Sequence, residues 1–389
     1  MSELLQIPLV MAALAIVVAL SAILTACAYL ILLERKLSAW MQDRLGPNRV
    51  GPFGLLQPLA DGVKLLIKEA VIPDHVDRFL YLLGPAISVF TTMLAFAVVP
   101  FGPVSHKPGE FPFIIAPNID LGIVFIFAVT SLAIYSIILG GWASNNKYSA
   151  LGSLRASAQV VSYEIPLGMS IVGVALLNHT MSLERILLDQ AQAGFAGWNI
   201  WYQPVAALIF FIAAMAESNR LPFDLTECEQ ELVGGFHTEY SGLKWAMFFL
   251  GEYTHVITIS FLMSILFFGG WHCPVIAEAD SAYAGAWAVK VAVLLIKVSG
   301  FIILIQLLRW TIPRFRFDQL MGLAWKVLIP LATANVLLVM CVLEFGFDPL
   351  WLLPLSIGLF AGAGLIGTQT TMRGGETGSR RRGAEVAHH

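Results

Sequence analysis

The chain has 389 residues, 58% hydrophobic and 13% charged, with a mean hydropathy of +0.77 and a formal net charge of −3. Soluble domains carry roughly 25% charged residues, so about half the usual charge is missing and only lipid can cover the remaining apolar surface. A soluble enzyme, a nucleic-acid binder and a disordered chain are thereby excluded, and the near-neutral balance carries meaning only by position.

The first apolar run, residues 9–33, exceeds the roughly 7 to 15 residues of a signal h-region and has no basic flank before it, so it reads as a retained first span. A helix of roughly 20 apolar residues crosses a hydrocarbon core. Further runs of about that size lie at 79–101, 119–141, 156–177, 198–216, 245–271, 286–308, 327–343 and 350–366. The expected fold is all-α: a polytopic membrane protein with eight core spans and a shorter ninth near Pro349 and Pro354. One transmembrane domain covers residues 1–367, and the polar, Gly-rich tail 368–389 reads as disordered. Of the 23 Lys and Arg, 19 fall in the odd-numbered loops and the tail, and two in the even-numbered loops. Basic loops stay on the cytoplasmic side, which puts the N-terminus outside and the odd loops inside.

The first span runs directly into Glu34-Arg35-Lys36, an ion pair that reads equally as an interfacial anchor or as part of a site. The two Gly-Pro turns of LGPNRVGPFG then reverse the chain. After them Leu55, Leu59, Val63, Leu66 and Ala70 recur at helical spacing, opposite Gln57, Asp61, Lys64 and Lys68. Such an amphipathic helix lies in the membrane interface. Its lysines suit headgroups, whereas Asp61 gains nothing from anionic lipid and calls for an internal partner.

Further along, the spans carry ionisable side chains. Glu164 falls in the fourth (SYEIPLG), Glu217 at the end of the fifth, Glu252 in the sixth (LGEYTHV) and Lys297 near the middle of the seventh. A charged group at mid-span costs roughly 2.5 to 3.5 kcal/mol on insertion scales, so such residues face protein or water. They either converge on one polar pathway or make isolated structural hydrogen bonds. Pro166 frees backbone carbonyls two residues after Glu164. The fifth span is short, with Trp198, Trp201 and Tyr202 suggesting an interfacial belt, and irregular short helices often line membrane sites.

The third inner loop, AESNRLPFDLTECEQELVGGFHTEYSG, sets Glu217, Asp224, Glu227, Glu229, Glu231 and Glu239 against a single Arg220. Asp224 and Glu227 have capping-box spacing, so a short helix is predicted after Asp224 with Glu227 and Glu231 on one face. Acids clustered on the side that normally collects cations form either a solvated loop or a proton-holding funnel.

Two patterns are discounted. Gly362-Ala-Gly-Leu-Ile-Gly367 fits G-x-G-x-x-G but lies inside the last apolar run, where it reads as a small-residue packing surface. Asn178-His179-Thr180 is a glycosylation sequon to which no weight attaches. The four cysteines, Cys27, Cys228, Cys273 and Cys341, form no C-x-x-C pair, so neither a zinc site, an iron–sulphur site nor a disulfide framework is implied.

The runs ERKLSAWMQDRLGPNRVGPFGLLQPLADGVKLLIKE, GSLRASAQVVSYEIPLG, AESNRLPFDLTECEQELVGGFHTEYSG, FFLGEY and TIPRFRFDQLM resemble, in the same order, the H-type membrane subunits of proton-translocating NADH:quinone oxidoreductase, respiratory complex I. The resemblance covers the first through the eighth span. It implies a bacterial inner-membrane protein that joins the membrane arm to the peripheral arm and helps form a chamber where quinone is reduced. Quinone is then a substrate at a shared site, this chain binds no cofactor alone, and FMN and iron–sulphur clusters lie in partner subunits. By motif match Glu34, Arg35, Asp61, Arg309, Arg314 and Arg316 line the chamber. Glu164, Glu217, Glu227, Glu229, Glu231 and Glu252 match a proton path, to which Asp224 and Lys297 are added. Cys228 and Gly251 stand where the family usually has a different small residue, and neither removes a charge. The alternatives are the homologous membrane anchor of a related hydrogenase or of a quinone oxidoreductase using another donor, and, more remotely, an ion-coupled transporter.

Overall fold

The computed structural model describes residues 8–103, 113–117, 119–224, 233–274, 276–278 and 285–365. In chain order its helices are α1 (Pro8–Met41), α2 (Gln57–Ile67), α3 (Arg78–Ala95), α4 (Gly122–Ala143), α5 (Lys147–Leu177) and α6 (Leu183–Gln192). There follow α7 (Pro204–Glu217), α8 (Gly242–Phe267), α9 (Ala286–Thr311), α10 (Phe317–Glu344) and α11 (Pro349–Leu365). Seven of these are long and apolar enough to span a membrane: α1, α3, α4, α5, α8, α9 and α10. Among the described residues the sole extended pairing is one bridge between Cys273 and Ala277.

Helix α8 is the axis of the bundle: 78% of its most apolar window is buried inside the chain, against 22% for α1 and α9. Its interior hydroxyls need no neighbours, because Thr258, Ser260 and Ser264 each donate to the carbonyl four residues back. Side-chain caps set the starts of two spans. Asp77 accepts from the amides of Phe79 and Leu80 at α3, and Asn146 from Tyr148 at α5. Pro85 and Pro166 lie within α3 and α5, and both helices run on past them.

Two of the nine expected spans are shorter than a bilayer. The run at 198–216 is divided: residues 199–202 make one helical turn, and Pro204 opens α7 at a position where a missing N–H costs nothing. At 14 residues, α7 is about 21 Å long against a core of about 30 Å. It is nonetheless enclosed by other helices, with Gln203 donating to the Gly173 carbonyl at 2.7 Å. Helix α11 is the other short one. The second expected span leaves the helix at Ala95, and the eighth begins earlier, at Phe317, passing through a wide turn at Ala324–Leu328.

Three further expectations change. The amphipathic helix ends at Ile67, so Ala70 is not part of it. Trp198 is not a belt residue; it is buried, with its indole donating to His272 Nδ1 at 3.2 Å. A Cβ on Gly362 or Gly364 would meet nothing within 4 Å, so within this chain those glycines pack against no neighbour. Helix α6 is an addition that the hydropathy pattern does not announce. The predicted helix after Asp224 and the tail lie outside the described residues.

Candidate functional site

The first polar cluster forms where α1, α8 and α9 meet. Glu34, two turns before the end of α1, is 6% exposed. Its carboxylate pairs with Arg309 of α9, accepts the Tyr253 hydroxyl of α8 at 2.5 Å and accepts Gln306 at 3.3 Å. Arg220, in the turn after α7, lies 3.9 Å from the same carboxylate. Its other terminal nitrogen is 3.7 Å from Glu252, and its guanidinium stacks 4.0 Å from the centre of the Tyr253 ring. Arg309, Glu34, Arg220 and Glu252 therefore form an alternating chain of charges drawn from four parts of the sequence. Alternation lets the chain be buried: each charge has a neighbour of opposite sign, where an isolated one would carry a desolvation cost of several kcal/mol.

Glu252 also faces a second cluster. It lines a cavity together with Glu217, His255, Ser88, Thr92, Thr130, Ser136 and Asn219. The cavity offers about 60 Å³ to the centres of water molecules, several times the roughly 10–15 Å³ that one water needs. Glu217 Oε1 lies 3.5 Å from His255 Nε2, a separation that a small shift turns into a hydrogen bond. Glu164 of α5 is held by the Ser131 hydroxyl of α4 and is close enough to Glu217 for the two carboxylates to interact. Three of the intramembrane acids thus converge. Lys297 stands apart from them: its ammonium donates to the carbonyls of Phe268 (2.7 Å) and His272 (2.6 Å) beyond the end of α8 and lies over the Trp198 ring. A cation at a helix C-terminus is electrostatically favoured. Burial, then the nearby Lys297, hold His272 below its usual pKa, so it is a neutral acceptor for Trp198.

Beyond the end of the buried cluster, Arg35 meets Asp61 of α2 at 2.7 Å, and Gln57 donates to the other Asp61 oxygen at 3.0 Å. This is the partner that Asp61 required. Arg314 reaches Asp224 at 3.4 Å, and Phe315 stacks on Phe223 with centroids 5.6 Å apart, which fastens the loop before α10 to the start of the acidic loop. At the start of α10 the backbone N–H of Arg316 donates to the Gln319 side chain at 3.1 Å. Beyond the acidic segment, Gly152 of α5 admits the chain at Gly235 so closely that a Cβ would lie 2.7 Å from the Gly235 Cα. Glu239 accepts from Asn146 at 2.7 Å, outside the cavity. Glu227, Glu229 and Glu231 lie outside the described residues.

Two residues have roles that the sequence pattern alone did not assign. His255 follows Glu252 by three positions, which places both on one face of α8; that spacing was a usable signal. Arg220 stood out as the lone cation among acids, but nothing in the sequence says that it touches Glu34 and Glu252. Among the described residues no group of three or more His, Cys, Asp or Glu could hold a metal ion.

Residues 14–340 match a sequence model of the NADH dehydrogenase family. A protein of Protochlamydia amoebophila, named as the H-type subunit of NADH-quinone oxidoreductase, is 47% identical over 314 residues, 81% of this chain and 92% of that one. Its namesake in Flavobacterium psychrophilum is 46% identical over 80% of this chain and 91% of its own. In Koribacter versatilis the H-type protein numbered 2 of the same oxidoreductase is 46% identical over 85% of this chain and 96% of its own.

Proposed function

The chain belongs to the NADH dehydrogenase family, among the H-type subunits of NADH-quinone oxidoreductase, and from that premise we propose that it carries charge between a quinone chamber and a proton path in the membrane. The observation that supports this best is the Arg309–Glu34–Arg220–Glu252 chain. It leads from the end of α1 to the acidic cavity without a gap wider than 3.9 Å between charged partners.

In this reading Arg35, Asp61 and the Arg309–Arg316 segment face a chamber completed by peripheral-arm proteins. Those partners hold the flavin and clusters that deliver two electrons. Reducing quinone to quinol takes up two protons, and the resulting charge imbalance acts on Glu34. Arg220, almost equidistant from Glu34 and Glu252, passes a change at either carboxylate to the other by shifting toward the more negative one. Glu252, Glu217 and Glu164 then exchange protons with the cavity, and neighbouring membrane subunits receive them. Moving one charge against 100 mV costs about 2.3 kcal/mol, so the carriers must change proton affinity during turnover. The same reading places the chain in a bacterial inner membrane with its N-terminus outside.

Arg35→Ala is expected to depress NADH:quinone turnover while NADH oxidation by an artificial acceptor, which needs only the peripheral arm, continues. Unchanged quinone turnover in a fully assembled complex would return Arg35 to the role of interfacial anchor. Orientation is tested by Asp74→Cys, an exposed position in the first inner loop, in a chain whose four native cysteines are replaced by serine. An impermeant thiol reagent is expected to label it in inverted vesicles and not in intact cells; labelling in intact cells would reverse the topology.

A further inference from the structure

Helix α2 turns its polar edge, Gln57 and Asp61, toward α1 and buries none of its residues. On its other side Leu56, Leu59, Val63 and Ile67 form a stripe at helical spacing, with Leu59 67% and Ile67 78% exposed. With Val50 of the preceding loop they line an open apolar groove of about 680 Å³, and Lys64 and Lys68 stand at its C-terminal end. Lys64 lies in the last turn of α2 and Lys68 is the residue that follows the helix, and both line the groove beside the apolar stripe.

We infer that this groove binds a phospholipid with an anionic headgroup, one acyl chain lying along Leu56, Leu59, Val63 and Ile67 and the phosphate between Lys64 and Lys68. The depth of the helix agrees. Helix α1 has 34 residues, about 51 Å of helix, against about 30 Å of hydrocarbon, so its inner end and the attached α2 sit among the headgroups. Anionic lipid draws basic side chains at that level, and an apolar helical face enters the acyl boundary below it. A zwitterionic lipid would fill the stripe equally well but give the two lysines no net charge to meet. The inference requires only that α2 lie at the membrane surface and stands apart from the proton path, because neither lysine belongs to that path.

The test uses the assembled complex in vesicles containing a phosphatidylglycerol with a diazirine and an alkyne in one acyl chain, alongside a matched phosphatidylcholine probe. Crosslinked peptides are mapped by mass spectrometry. The phosphatidylglycerol probe is expected to label the peptide containing Leu59 and Val63 in preference to the phosphatidylcholine probe. Labelling should fall about thirtyfold in K64Q/K68Q, the size expected for loss of two near-surface basic contacts, and persist in K64R/K68R. Equal labelling by both probes, labelling unchanged in K64Q/K68Q, or no label on this helix because protein covers it would each overturn the assignment.

Discussion

Arg220→Gln is expected to lower quinone-linked turnover of the assembled complex by at least about tenfold, equivalent to about 1.4 kcal/mol. Two buried carboxylates depend on this guanidinium. Glu34 keeps Arg309, Tyr253 and Gln306 when Arg220 is lost, and Glu252 loses the cation 3.7 Å away. Breaking a buried pair by removing one member typically costs about 3–5 kcal/mol. The variant should therefore cut the charge chain between α1 and the cavity. A double-mutant cycle separates this from general damage: adding Glu252→Gln to Arg220→Gln should cost little more than the first substitution alone. NADH oxidation by an artificial acceptor, measured beside it, should be unaffected. Full quinone turnover in assembled Arg220→Gln would show that the two carboxylates do not communicate through this residue.

The hydropathy of the chain was enough to locate each of the seven long spans, because depth in a bilayer is a property of a local window of residues. It also located the intramembrane acids, since a charge in an apolar run is conspicuous whatever its partner. Azimuth and contact are not local. Lys297 has the same sequence signature as Glu252, a lone ionisable side chain in a span, yet one caps the carbonyls beyond α8 and the other faces the cavity. Trp198 likewise has the composition of an interfacial belt residue and is instead enclosed by α9 and the loop after α8. The fifth span fails as a full crossing for a reason that is visible once known. Pro204 restarts the helix; around the interruption the side chains of Gln190, Asn199 and Gln203 donate to carbonyls of α8 and α5, and Gln190 Oε1 accepts the Asn199 amide. The partnership of Arg35 with Asp61 could be argued from charge alone, but the link from Glu34 to Glu252 through Arg220 joins residues more than 200 positions apart and exists only in the folded chain.

Glu217 and Glu252 carry the heaviest consequence. Both line the cavity, on α7 and α8, and both are nearly buried. Glutamine keeps the shape and hydrogen-bonding capacity of a carboxyl group while removing its proton exchange. Glu239 provides the comparison, because it is held by Asn146 outside the cavity, and Glu239→Gln should retain most of the activity. If the cavity acids served only as hydrogen-bond partners, glutamine would be nearly silent at all three positions. If they pass protons, redox chemistry and translocation share one path, and blocking it should slow both.

The decisive measurement is NADH:quinone turnover together with proton pumping, in vesicles reconstituted with the double variant Glu217→Gln/Glu252→Gln at matched assembly. A loss of about tenfold or more in both quantities, with artificial-acceptor reduction intact, is the expected result; wild-type turnover and pumping would contradict the proton path through these residues.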